Sequence, residues 1–255
     1  RFGDVADVLV RAREAKARGL EIGAVLVEPI QGRGGVRIPK RGFLAELRSL
    51  CDREGWLLIA DEVYTGFGRT GRWFACEHEQ VVPDLLCVGK GLASGMPVSA
   101  CIGRAPVMDA WPLSTGEALH TQTFLGHPPG CAAALASLQV LEEEGLVRHA
   151  GVTGEATLAL LRSRLAKRPG VIEVRGLGLM IAIEFHEPRE LALRMGWKLL
   201  HRLEPELFAQ MIVTALFTQH RVLSQIAGHG MDVLKILPPL IIGEREIDHF
   251  VRALD

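Results

Sequence analysis

Two side chains with complementary chemistry stand where apolar runs end. Lys90 follows Leu85-Leu86-Cys87-Val88-Gly89, and Asp61, twenty-nine positions earlier, closes Trp56-Leu57-Leu58-Ile59-Ala60. An amine and a carboxylate so placed are the pair that pyridoxal phosphate chemistry requires. The amine forms a Schiff base with an aldehyde, and the carboxylate keeps a pyridine nitrogen protonated so that the ring draws electrons. Glu28 ends a third short run, Ala24-Val25-Leu26-Val27. Ligands of open α/β sheets bind outside the carboxyl ends of the strands, where these three ionisable groups would converge. Asp61 taken singly reads equally well as a loop or cap residue; the convergence argues for chemistry.

The elements that must position these groups follow from periodicity. Residues Phe43, Leu44, Leu47, Leu50 and Cys51 recur at helical spacing between the first two runs. Strand, helix and strand in alternation, with near-continuous apolar runs, predict a mainly parallel sheet covered on both faces, with a further strand over 97–102. A first helix is expected over 5–18, and Pro128-Pro129-Gly130 opens a strong helix former that runs to Glu144. Beyond it the pattern changes. A helix over 153–167 leads to two strands around a glycine turn within 171–185, then to a helical stretch over 190–219, a strand over 232–237 and a last helix over 244–254. The expectation is an α/β domain over residues 1–150 and a smaller α+β domain over 151–255.

Composition narrows the function. The 255-residue chain is 48% hydrophobic and 23% charged, which is globular, and its net charge of −1 gives no footprint for nucleic acid or an anionic membrane surface. No apolar stretch reaches the length of a membrane span and no signal-peptide pattern is present. Five scattered cysteines, Cys51, Cys76, Cys87, Cys101 and Cys131, lack any C-x-x-C spacing and read as small buried hydrophobes rather than disulfides or a metal site, which points to a reducing cytoplasm. Gly66-Phe67-Gly68-Arg69-Thr70-Gly71 matches G-x-G-x-x-G, but Asp61 to Thr65 intervene after the strand and no helix opens on the last glycine, so a dinucleotide site is not expected. Gly89-Lys90-Gly91 lacks the upstream glycine and the following Ser or Thr of a Walker A loop.

Four blocks carry a resemblance. Val27-Glu28-Pro29-Ile30-Gln31-Gly32, the run Asp61 to Gly71, Gly89-Lys90-Gly91-Leu92 and Thr121-Gln122-Thr123-Phe124-Leu125-Gly126-His127-Pro128, in this order and spacing, resemble the class III pyridoxal phosphate aminotransferases. The likeness runs on to Leu234-Lys235-Ile236-Leu237-Pro238-Pro239-Leu240. It implies a fold-type-I transferase that uses pyridoxal 5'-phosphate and moves an amino group between small-molecule amine and carbonyl substrates, in a homodimer with shared sites. It makes Lys90 the Schiff-base lysine and proton carrier, Asp61 the pyridinium partner and Val63 a packing residue against the ring. Thr123 would bind the phosphate of the neighbouring subunit's cofactor, and Glu28 would lie near the site as a hydrogen-bonding residue or simply end its strand. Tyr64 would bond the cofactor's 3-oxygen, where relatives often carry Gln, or pack; His127 would be a loop hydrogen-bonder and Arg175 structural. An aminomutase or decarboxylase of the same fold would use the same lysine and aspartate, and a noncatalytic fragment that holds no cofactor is the reading from another class.

Three departures bear on these expectations. Family members acting on α-amino acids often read Gln-Gly-Glu-Gly where this chain has Gln31-Gly32-Arg33-Gly34, and often place an arginine where Lys235 stands. Lysine offers a point charge instead of a bidentate fork, so the expected acceptor is an aldehyde or ketone rather than a simple 2-oxo acid. Nothing before Glu28 resembles the family's Ser/Gly-rich phosphate loop or its ring-stacking aromatic, and Arg1 begins in mid-pattern, so a further N-terminal portion is expected in the native protein.

Overall fold

The computed structural model describes residues 1–116, 120–204 and 207–254, and the chain divides into two units. The first comprises Arg1–Ile30, Pro39–Phe67 and Arg72–Gly145; the second comprises Gln31–Ile38, Gly68–Gly71 and Leu146–Asp255. The fold is α/β, with a parallel-containing sheet and flanking helices.

In the first unit, helix α1 (Val5–Ala17) precedes strand β1 (Ala24–Val27), helix α2 (Phe43–Glu54) and strand β2 (Leu57–Asp61). Strands β3 (Leu85–Val88) and β4 (Ala100–Gly103), the short helix α3 (Ala105–Met108) and helix α4 (Pro128–Glu143) follow. The sheet order is β1-β2-β3-β4, with β1, β2 and β3 parallel. Helix α2 buries the five residues picked out by spacing and packs them on Leu58, Cys76 and Val81. Its N-terminus has no side-chain cap of its own. The Glu79 carboxylate instead accepts the N–H groups of Gly42, Leu44 and Ala45 at 3.0, 2.9 and 3.0 Å, satisfying donors that the helix leaves open.

Strand β4 differs from expectation. It begins at Ala100 and pairs antiparallel with β3. A parallel return needs a crossover of a dozen or more residues. Residues 89–99 hold only the 3-10 turn Lys90–Leu92 and a left-handed bend at Ser94 and Gly95, so the chain doubles back.

The second unit has helix α5 (Leu146–Leu165), strands β5 (Val171–Leu177) and β6 (Met180–Phe185), and helices α6 (Leu191–Leu203) and α7 (Leu207–His220). Strands β7 (Gln225–Ile226) and β8 (Val233–Ile236) and helix α8 (Glu244–Ala253) complete it. Its sheet, ordered β5-β6-β8-β7, is wholly antiparallel. Alternation splits that sheet into two faces. Val174, Ile181, Ile183 and Leu234 enter a core with Leu161 of α5 and Leu216 of α7. On the other face Arg175, Ala182 and Lys235 stand abreast in register.

Candidate active site

Lys90 leaves β3 through Gly89 and opens a 3-10 turn. Its φ of 41° lies in the left-handed region, a conformation that costs a non-glycine residue about 1–3 kcal/mol and that clusters at functional sites. The residue is exposed, and Nζ lies 3.7 Å from the centroid of the Tyr64 ring, within cation–π distance. Partial burial lowers the pKa of the ammonium, while the carboxylates of Asp61 and Glu28 pull it back up. One amine therefore feels three of the residues picked out from the sequence, drawn from the ends of β1 and β2 and the loop after β2.

Asp61 is half-buried, and its Oδ1 accepts the Val63 N–H at 3.1 Å, which fixes the carboxylate on its own loop. Its second oxygen has no hydrogen bond among the described residues. Val63 stands beside Gly89: a Cβ added there would lie 3.7 Å from Val63 Cγ1. A partly desolvated amine and an anchored carboxylate with a free oxygen are a donor set that suits a cofactor bearing an aldehyde and a basic ring nitrogen.

Sequence reasoning passed over Glu62. This residue is fully buried. Its carboxylate accepts the N–H groups of Ala75 at 3.0 Å and Cys76 at 2.8 Å, together with the hydroxyl of buried Thr65. Its carbonyl accepts Gly66 N–H at 2.8 Å. Glu62 thus closes the loop that presents Asp61, Val63 and Tyr64. The available signal was two adjacent acids at a strand end, since alternation sends one of them inward.

The glycine motif proves to serve close packing. In the first unit a Cβ on Gly66 would come within 2.9 Å of the Glu62 carbonyl. In the second unit Gly71 has φ 86°, and a Cβ there would come within 2.7 Å of Gly151 Cα. Arg69 between them donates to the carbonyls of Leu179 at 3.1 Å and Pro238 at 2.6 Å. Every part of the motif is occupied by protein.

The remaining candidates have different surroundings. Thr123 is exposed on the turn before α4, and His127 is half-buried at the N-terminus of that helix. Arg175 is buried in the second unit, where Nε donates to the carbonyls of Gly35 and Val36 at 3.1 and 3.0 Å and Nη1 meets Glu173 at 2.7 Å and Glu184. Lys235 is buried on the same sheet face. Cys101 and Cys131 are exposed, against the expectation of buried thiols, because β4 is an edge strand and Cys131 lies on the outer side of α4.

Residues 5–255 match the family described as Aminotransferase class-III. Among solved structures, the ornithine aminotransferase of Toxoplasma gondii ME49 is 35% identical with a TM-score of 0.80, over 99% of this chain and 54% of that one. The acetylornithine aminotransferase of Elizabethkingia anophelis is 33% identical with a TM-score of 0.82, over 99% and 57%. A transaminase from the marine bacterium Virgibacillus is 30% identical with a TM-score of 0.83, over 98% and 55%. The chain spans just over half the length of these structures.

Proposed function

We propose, since this chain belongs to the class III aminotransferase family, that it carries the reactive lysine of a pyridoxal phosphate-dependent, fold-type-I aminotransferase. The observation that carries the proposal is the convergence of Asp61, Glu28 and the Tyr64 ring on the Lys90 amine. The reaction moves an amino group from an amine donor to a carbonyl acceptor. The buried lysine at 235 supports an aldehyde or ketone acceptor, because an ammonium offers a point charge in place of the arginine fork that suits an α-carboxylate. A cytoplasmic homodimer, with Thr123 reaching the partner's cofactor phosphate, completes the reading.

When bound, pyridoxal phosphate supplies an electron sink that acidifies the C–H beside an amine nitrogen. The chain does the rest. Partial burial favours the neutral form of Lys90, which is the form that would attack an aldehyde, and Nζ would move the proton off the donor carbon. Asp61 would hold a ring nitrogen protonated. Glu28 keeps a second negative charge near the amine. Val63 would pack on the ring, and Tyr64 would exclude water from one side of Lys90 or bond the ring's 3-oxygen.

Borohydride reduction of the chain with pyridoxal phosphate, followed by peptide mapping, tests this reading. The phosphopyridoxyl mass is expected on the Lys90 peptide. A folded sample with no adduct, or with the adduct spread over other lysines, overturns it. Comparing aldehydes with 2-oxo acids as acceptors then tests the finer reading, which fails on a strong preference for the acids.

A further inference from the structure

Cys87 on β3 and Cys101 on β4 are directly opposed in the antiparallel register. The Cys87 carbonyl accepts Glu62 N–H at 2.9 Å from the β2 side, so its backbone polar groups turn away from β4. The two cysteines therefore form a non-hydrogen-bonded pair, whose Cα atoms stand about 4.5 Å apart with side chains close together on one face. That separation falls within the span a disulfide bridges, about 4.4–6.8 Å. Cys101 is close enough to act directly on the Cys87 thiol.

We propose that Cys87 and Cys101 form a modification site at which a low-molecular-weight disulfide installs a reversible cross-strand bond. Cys101 is exposed and Cys87 half-buried, which sets their order of action. The Cys101 thiolate attacks one sulfur of the small disulfide; that S–S bond breaks, a mixed disulfide forms and one small thiol leaves with a proton. Cys87 gives up its own proton and attacks the Cys101 sulfur, which releases the second small thiol. Two protein thiols are oxidised and one small disulfide is reduced to two thiols. Burial, with the Cys101 thiol and the Asp61 carboxylate adding to it, raises the pKa of Cys87 and keeps it a thiol, so the exposed Cys101 reacts first and the attack by Cys87 is carried by its proximity.

The bond has a defined place in the fold. It ties edge strand β4 to the strand that leads to Lys90, three residues on, and Cys87 is the register neighbour of Asp61 in β2. The inference stands on strand register and does not depend on the aminotransferase reading.

Incubation of the reduced chain with oxidised glutathione at mildly alkaline pH, alkylation of the remaining thiols and non-reducing peptide mapping test it. The expected product is a single Cys87–Cys101 linked peptide pair, with two thiols lost and both restored by dithiothreitol. Exposed Cys131 on α4 is the internal control and is expected to go no further than a glutathione adduct. The Cys87→Ser variant is expected to retain glutathione on Cys101. A wild-type map with glutathione left on Cys101 beside alkylated Cys87, or with both residues alkylated, overturns the proposal. If the variant does not fold, the wild-type map alone decides.

Discussion

Arg175 and Lys90 are both cations placed by a strand, and their surroundings treat them in opposite ways. Arg175 is 6% exposed; it donates to two backbone carbonyls and faces two carboxylates, so its hydrogen-bonding capacity is largely used. Lys90 is exposed, sits on a strained backbone and meets one aromatic ring and the fields of two carboxylates. A buried charge needs this kind of saturation, since an unpaired one is costly. Glu62 in the first unit repeats the Arg175 pattern, with its carboxylate satisfied by backbone donors and a hydroxyl. Saturated charges hold the fold, and the unsaturated charge is left for chemistry.

The comparison breaks most readily at Lys90 itself. Lys90→Ala is expected to lower the transamination rate by about 10²–10⁴-fold or more, the range carried by a proton-transferring residue. Folding stability should stay within about 0.5 kcal/mol of wild type, as for a surface substitution. Product formation and denaturant unfolding measure the two together, and a clear loss of stability would place Lys90 with the structural charges. Arg175→Ala should do the reverse. Removing one partner of a buried ion pair costs about 3–5 kcal/mol, here with the Gly35 and Val36 carbonyls also left unpaired. The folded fraction, tested by borohydride trapping, should still label Lys90. A normal denaturation midpoint in this variant would remove the basis of the comparison.

Glu62→Gln sharpens the contrast at a smaller scale. The amide leaves one oxygen to serve donors that two carboxylate oxygens now share, and an unsatisfied buried donor costs about 1–3 kcal/mol. A loss in that range, read from urea unfolding, is expected. If stability is unchanged while the rate collapses, Glu62 belongs with the chemistry and the division drawn above is wrong.

The strand ends that hold Asp61 and Lys90 were legible because apolar runs have visible limits, and α2 because its five buried residues recur at helical spacing. The direction of β4 was not, since an apolar run carries no sign of which way it pairs; connection length decided it. The spacing predicts one helical stretch over 190–219, whereas α6 ends at Leu203 and α7 begins at Leu207. Strand β7 is two residues long, too short for any period to register. Around the candidate site, the acids and the lysine stand out by residue type. The stacking of Tyr64 on Lys90 and the burial of Glu62 depend on the fold of the loop after β2, which no local pattern encodes.

A finer contrast lies in how the second unit treats His201. Its Nε2 is 2.6 Å from Asp232 Oδ2 and its Nδ1 is 2.9 Å from the Trp197 carbonyl, so both ring nitrogens face acceptors. Burial, including stacking on Trp197 at 4.3 Å, would lower the imidazole pKa, but the bond to Asp232 and the carbonyl outweigh it and raise the pKa above the usual value. The other Asp232 oxygen is buried with no partner among the described residues, which adds to the need for a nearby cation. A pKa raised on folding means that the native state binds the proton more tightly than the unfolded chain. The resulting stability is fully present below the unfolded histidine pKa of about 6.5 and is lost as pH rises through the folded value. Unfolding curves for wild type and His201→Gln should therefore differ most in mildly acidic buffer and converge in mildly alkaline buffer. A gap that is constant across that window would show that His201 acts through packing alone, and would make it one more saturated structural group like Arg175 instead of a titrating one.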